Sequence, residues 1–391
     1  MHIPFAAKRL CVLAAIGNVL PAAMLLSLVH PLLAQDGPSV GVVFLYVPTG
    51  LGYSGNSNGD GTFTFTSVSV SPNFNIIRLG DFNGDRIADL ILYNSVPALA
   101  YLGLGTGTSY NFSGLSWSPA YNFVVTGDFN GDGKTDLILY NSSGIDEYTA
   151  LANGGGGFTY IHNFISAGFT QVLAADFNGD GKADLFLYRA SDGVAYLGLS
   201  NGDGTFAFSP VTLPAGFVTG FDRASTGDLN GDGMADVLLY NSTSGAMVSA
   251  LSTGTNFTFS TQTRSSGYSS VLLFDCNGDG KADVMLYDKL QHATTYLGMG
   301  RGDGTFAMTS MSMSGGNDNM FAMDANGDGF EDLLMYNSSS GYQVTALSNG
   351  TGGFNYNPSV YLGTRKDHDG AQARGHDSDF SQLPERERTW C

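Results

Sequence analysis

The chain repeats itself. An apolar stretch, the pattern Asp-x-Asn-Gly-Asp-Gly-x-x-Asp and a second apolar stretch ending in Tyr recur along it. The acidic pattern begins at Asp81, Asp128, Asp176, Asp228, Asp275 and Asp324, at intervals of 47, 48, 52, 47 and 49 residues. A period of this length points to stacked copies of one supersecondary unit, so the 391 residues form one array and not two or three unrelated domains. The closing tyrosine sets the count. It stands at Tyr46, Tyr93, Tyr140, Tyr188, Tyr240, Tyr287 and Tyr336, which makes seven units. The first, VVFLY, keeps the strand but has no acidic loop before it.

Each unit carries two further strands. One is of the Tyr-Leu-Gly type (Tyr101, Tyr196, Tyr296) or the Thr/Ser-Ala-Leu type (Leu151, Leu251, Leu347), and the alternation suggests a duplicated pair. A glycine-rich turn follows, such as Asn-Gly-Asp-Gly-Thr-Phe at Asn58 and Asn201. The 54 glycines, 12% aromatic and 13% charged residues suit short strands joined by tight turns. Four antiparallel strands per unit form a blade that buries its faces only against neighbours. The expected fold is all-β, a seven-bladed β-propeller of four-stranded antiparallel blades. The first blade lacks an inner strand after the leader, and Val360-Tyr361-Leu362 is expected to supply it and close the ring.

The loops carry the chemistry. A calcium ion takes about six to eight oxygen ligands from a flexible loop, with glycine at a sharp turn. Positions 1, 3, 5 and 9 offer side-chain oxygens and position 7 a backbone carbonyl. The candidate ligands are Asp81, Asn83, Asp85, Ile87 and Asp89 in the first loop, and Asp128, Asn130, Asp132, Lys134 and Asp136 in the second. The third offers Asp176, Asn178, Asp180, Lys182 and Asp184, and the fourth Asp228, Asn230, Asp232, Met234 and Asp236. The fifth offers Asp275, Asn277, Asp279, Lys281 and Asp283, and the sixth Asp324, Asn326, Asp328, Phe330 and Asp332. Up to six Ca²⁺ are expected. Three uncompensated carboxylates in one loop would repel each other, which argues against plain Asx-turns. An EF-hand is excluded, because its twelfth position needs a bidentate Glu and here holds Leu or Met.

This pattern resembles the FG-GAP (VCBS-type) repeat of integrin α-subunit propellers and of many secreted bacterial proteins, over roughly residues 40–363. The resemblance implies that the loop joins the innermost strand to the second and binds Ca²⁺. The first loop departs from the pattern, with Arg86 where glycine is expected. Cys276, Ala325 and Leu229 replace Phe at position 2, which supplies no ligand.

Lys8 and Arg9 precede an apolar run to Ala34. It reads as a signal peptide cut at Ala34-Gln35, or as an uncleaved anchor. The expected organisation is a leader over 1–34, a propeller over 35–363 and a charged, disordered tail over 364–391, in a secreted or cell-surface protein. The net charge of -18 repels phosphates and sets nucleic acid aside. The six loops alone hold three Asp each. Three cysteines, Cys11, Cys276 and Cys391, form no disulfide framework.

Other features read as structural. Arg301-Gly302-Asp303 occupies the same turn as Asn201-Gly202-Asp203, and the sequons at Asn141, Asn241 and Asn337 occupy another repeated turn. Trp117 and the long Ser209–Ser225 connection are candidate ligand contacts. Two histidines (His162, His292) and two glutamates (Glu147, Glu331) in the body form no catalytic motif, so no enzyme is expected. The expected function is binding by a monomeric module with structural calcium and no membrane insertion of the mature body. The ligand is a protein, as in adhesion, or a glycan, as in a lectin; a polysaccharide lyase is the enzymatic alternative.

Overall fold

A computed structural model describes residues 24–28, 41–46, 50–117, 121–290 and 294–363. The Ala34-Gln35 cleavage point, Cys11, Cys391, His292 and the tail lie outside the described residues. Seven antiparallel sheets follow one another along the chain as the blades of a propeller. Blades two to seven begin with the inner strands Ile76–Gly80, Phe123–Gly127, Gln171–Ala175, Arg223–Gly227, Ser270–Phe274 and Asn319–Met323. The acidic loop leads from each to a second strand: Asp89–Asn94, Asp136–Tyr140, Asp184–Tyr188, Asp236–Tyr240, Asp283–Tyr287 and Asp332–Asn337.

Burial explains the sequence of each strand. The second strands are covered on both faces, so they read as unbroken apolar runs. Outer strands such as Phe158–Phe164 face solvent and mix apolar with polar residues. Adjacent blades share one cluster at each seam. Phe186 and Leu197 of blade four, for example, pack with Val237 and Phe257 of blade five. The last seam joins Phe44 and Phe63 of blade one to Met323, Leu334 and Tyr336 of blade seven, closing the ring.

The two types of third strand have a packing basis. The residue opposite the middle of the second strand is Leu102, Leu197 or Leu297 in blades two, four and six. It is Ser54, Thr149, Ser249 or Thr345 in blades one, three, five and seven. The leucines feed the seams between blades two and three, four and five, and six and seven. At the intervening seams a hydroxyl faces the next blade; Ser249 Oγ donates to the Gly304 carbonyl at 2.7 Å.

The repeated tyrosines from Tyr93 to Tyr336 are buried and also tie blades together. The hydroxyls of Tyr140, Tyr188, Tyr240 and Tyr287 donate to the carbonyls of Ser166, Val218, Ser265 and Ser314 in the connection to the next blade, at 2.7–3.0 Å. Tyr336 does the same to Gly363, so the chain beyond blade seven behaves as one more connection.

Ring closure differs from the expectation. The inner strand of blade one is Met24–Leu28, antiparallel to Gly41–Tyr46 from Met24 opposite Tyr46 to Leu28 opposite Val42. Val360–Tyr361 instead stays in blade seven, beside Tyr342–Ser348. The cause is local. Pro358 lacks an N–H, the outer strand Phe354–Tyr356 stops before it, and pairing resumes at Val360 on the same neighbour. Leu362 still seals the seam between blades seven and one. Met24–Leu28 falls within the run read as leader, so only an uncleaved chain carries this strand.

Candidate metal-binding loops

All six acidic loops lie where a second strand begins, on one face of the ring, and adopt one conformation. Two left-handed residues make each turn, for example Gly131 and Gly133 with φ of +78° and +82°. Arg86 takes the second left-handed place in the first loop, with φ of +67°. The expected departure from glycine is thus a backbone departure as well, in a region that costs a non-glycine residue ~1–2 kcal/mol.

The carboxylates organise the backbone. In the second loop Asp128 accepts the N–H groups of Gly131 and Gly133 at 2.7 and 2.8 Å, and Asp132 accepts that of Lys134 at 3.0 Å. Asp136 accepts Phe129 N–H at 3.0 Å and Ala152 N–H at 2.7 Å. The same bonds recur around Asp81, Asp176, Asp228, Asp275 and Asp324. Position 3 helps as well: Asn130 Oδ1 accepts Asp132 N–H at 2.9 Å. Cys276 adds its thiol to Asp283 Oδ2 at 2.9 Å.

The aspartate at position 9 is fully buried in all six loops, whereas at position 1 only Asp81 and Asp228 are buried. Burial raises the pKa of Asp89 to about 6, and the carboxylates at positions 1 and 5 push the same way, against its backbone hydrogen bonds. Asp136, Asp184, Asp236 and Asp332 rise to about 7 for the same reasons. Lysine at position 7 offsets some of the charge: Lys134, Lys182 and Lys281 reach the carboxylates of Asp132, Asp180 and Asp279 at 2.6–2.8 Å. Ile87, Met234 and Phe330 provide no such cation.

The predicted ligands are therefore neighbours in each loop, with an all-oxygen donor set. They do not converge on one point: among the described residues no three acidic, histidine or cysteine side chains are grouped to hold a metal. Each carboxylate is turned onto backbone N–H groups instead.

Sequence reasoning missed that the loops are linked to one another. The N–H at position 8 donates to the position 1 carbonyl of the preceding loop. The pairs are Thr135 to Asp81, Ala183 to Asp128, Ala235 to Asp176, Ala282 to Asp228 and Glu331 to Asp275, at 2.6–2.9 Å. Five bonds thus chain the six loops around the ring. The position 7 side chain lies over the previous loop too, where a methyl on Gly131 would stand 3.2 Å from Lys182. The signal in the sequence was Ala or Thr at position 8 of the first five loops, with Glu331 in the sixth, beside a long residue at position 7.

A family model for the FG-GAP-like repeat matches residues 81–139, 128–187, 176–239, 228–286 and 275–335. The chain belongs to this family. Each match runs from one acidic loop to the end of the second strand in the next blade. No curated protein matches the chain. Among solved structures it is similar to a lectin from Agrocybe aegerita that recognises non-reducing terminal N-acetylglucosamine, at 18% identity and a TM-score of 0.63 over 82% of this chain and 89% of that one. It is also similar to a protein from Lactobacillus plantarum, at 10% identity and a TM-score of 0.55 over 88% and 97% of the two chains. The dihydro-haem d1 dehydrogenase NirN gives 9% identity and a TM-score of 0.53 over 84% of this FG-GAP chain and 66% of its own. These likenesses show the propeller fold.

The other features of the FG-GAP chain fall into place. Asp303 of Arg301-Gly302-Asp303 accepts Thr305 N–H and hydroxyl at 2.8 and 2.6 Å, as Asp203 does with Thr205. The Asn141, Asn241 and Asn337 amides accept an N–H two residues on, at 2.9–3.0 Å. Both are turn devices. The long connection after blade four is shorter than its sequence suggests, because Ser209–Val211 and Arg223–Ser225 belong to strands and Phe221 is core. Trp117 is 8% exposed, packs on Tyr93 at 5.1 Å and donates from Nε1 to the Tyr160 hydroxyl at 2.8 Å.

Proposed function

We propose that this FG-GAP chain is a recognition propeller, secreted or held at the cell surface, whose acidic loops carry structural Ca²⁺. The observation that supports it best is the chain of five backbone bonds linking the six loops. A cation in any loop would stiffen a continuous belt on one face, leaving the connections and rim of the other to present a ligand. The donor set fits a hard cation, with oxygen alone at positions 1, 3, 5, 7 and 9. Burial is the main reason the position 9 aspartates have raised pKa values, with a smaller push from the carboxylates at positions 1 and 5, whose charge a divalent ion would neutralise. Asp128, Asn130, Asp132, the Lys134 carbonyl and Asp136 would hold the ion in the second loop, and their equivalents in the others. In this reading Ca²⁺ does no chemistry; it replaces mutual repulsion with shared attraction.

The experiment is equilibrium dialysis of the purified chain against Ca²⁺ at ~1 mM, the weak end of extracellular calcium modules. Uptake of several and up to six ions per chain, resistant to excess Mg²⁺, is expected. No uptake would end the calcium reading. The family resemblance suggests a protein ligand, as in adhesion. A glycan is the second reading, favoured by a cluster of exposed aromatic side chains on blade three.

A further inference from the structure

The outer strand of blade three differs from all its counterparts. On one side it carries Phe158, Tyr160, His162 and Phe164 at alternate positions. Blades one and five place aromatics at the first two of these positions and Ser or Thr at the last two: Phe63, Phe65, Ser67, Ser69 and Phe257, Phe259, Thr261, Thr263. The first two have a packing role. The second ring lies across a small residue of the third strand: Phe65 over Gly55 and Phe208 over Gly198, with Tyr160 and Phe259 opposite Ala150 and Ala250. The last two have none that the fold requires.

In blade three those two positions build a rigid exposed stack. The His162 ring stacks on Tyr148 at 4.6 Å and meets the edge of Phe164 at 4.4 Å. Tyr148 is backed by Tyr121, which is backed by Trp117, so the rings continue into the core. Phe164 is 73% exposed. Beside it His162 Nε2 and Asp146 Oδ1 are 3.0 Å apart, and the Asp146 side chain is 62% exposed. A single exposed ring is ordinary, but here Phe164 adjoins the His162 and Tyr148 rings, and a contiguous exposed patch is a surface suited to contact.

We propose that Phe164, His162 and Asp146 form a saccharide platform at the rim of blade three that takes a single pyranose ring. A pyranose has one face of C–H groups and an edge of hydroxyls. The Phe164 ring offers an apolar surface for the first, and the adjacent carboxylate and imidazole offer acceptor and donor for the second. The anchored stack costs little ordering on binding. A protein interface takes roughly 20–30 residues a side. The platform, even with Tyr148 and exposed Ile145, has five side chains, which suits one sugar residue.

The inference rests on the glycan reading, and its test separates the two. Saturation-transfer NMR on the full chain in Ca²⁺ would use the methyl pyranosides of glucose, galactose, mannose and N-acetylglucosamine. Transfer to ring C–H protons of at least one is expected. Phe164→Ala should weaken that binding by about tenfold or more, and Asp146→Asn by several-fold, at unchanged melting temperature because both side chains are exposed. Equal binding by wild type and Phe164→Ala would overturn the platform and leave the glycan reading standing. No transfer to any of the four sugars would remove both.

Discussion

Single residues in this propeller have separable costs. Gly133 is left-handed, and a methyl group built on it meets nothing within 4 Å. Gly133→Ala should therefore cost only the backbone strain, about 1–2 kcal/mol by denaturant unfolding. Glu147 shows a charge effect. It is fully buried, its Oε1 accepts a long 3.4 Å bond from Thr149, and its Oε2 has no partner among the described residues. Burial raises its pKa from 4.5 to about 8. The folded state thus holds a proton that the unfolded state releases, so the stability it contributes is complete below pH 4.5 and is lost as pH rises towards 8. Over that range wild type should lose up to about 4 kcal/mol relative to Glu147→Gln, read from urea unfolding at each pH. Equal pH profiles would contradict this account. None of it was legible in the sequence, where Glu147 is one polar residue in an alternating strand. Its burial is set by the seam with blade four, which local pattern does not reveal.

At the scale of elements, strands and turns were readable because each blade repeats the same apolar runs and glycine turns. Ring closure was not. Met24–Leu28 is as apolar as a signal sequence, so composition cannot distinguish a leader from an inner strand. The bulge at Pro358 keeps Val360–Tyr361 in blade seven by a register shift that spacing alone does not specify. The inner strand makes a prediction: a chain starting at Gln35 exposes an edge of Gly41–Tyr46 that the longer chain pairs. It should melt lower, and the amides of that strand should exchange faster with deuterium. Equal melting and exchange would show that blade one does not need Met24–Leu28. The tyrosine ties can be tested in the same way. Tyr188→Phe removes two hydrogen bonds, the one donated to the Val218 carbonyl at 3.0 Å and the one accepted from Phe221 N–H at 3.3 Å, and should cost about 1–3 kcal/mol. Tyr188→Ala empties a core position and should cost about 3–5 kcal/mol.

For the whole molecule, seven tyrosines gave the blade count and the acidic pattern gave six loops, both from spacing alone; the bonds that join those loops into a belt appear only in the structure. The sequence placed the candidate donors in six equivalent loops, and the structure makes the candidates of each loop neighbours. It could not say whether a carboxylate turns to backbone N–H groups or to a cation, because the same oxygens suit either. The loop-to-loop bonds make the metal question one for the entire ring: stiffening one loop restrains the next, and loss of charge compensation is felt around the belt. The most direct measurement is a thermal melt of the full chain with Ca²⁺, with chelator, and with chelator followed by excess Ca²⁺ or Mg²⁺. A calcium-braced propeller should lose many degrees in chelator, in one cooperative transition, and recover them with Ca²⁺ but not with Mg²⁺. An identical melt in all four conditions would contradict the account and leave the carboxylates as turn-forming groups alone.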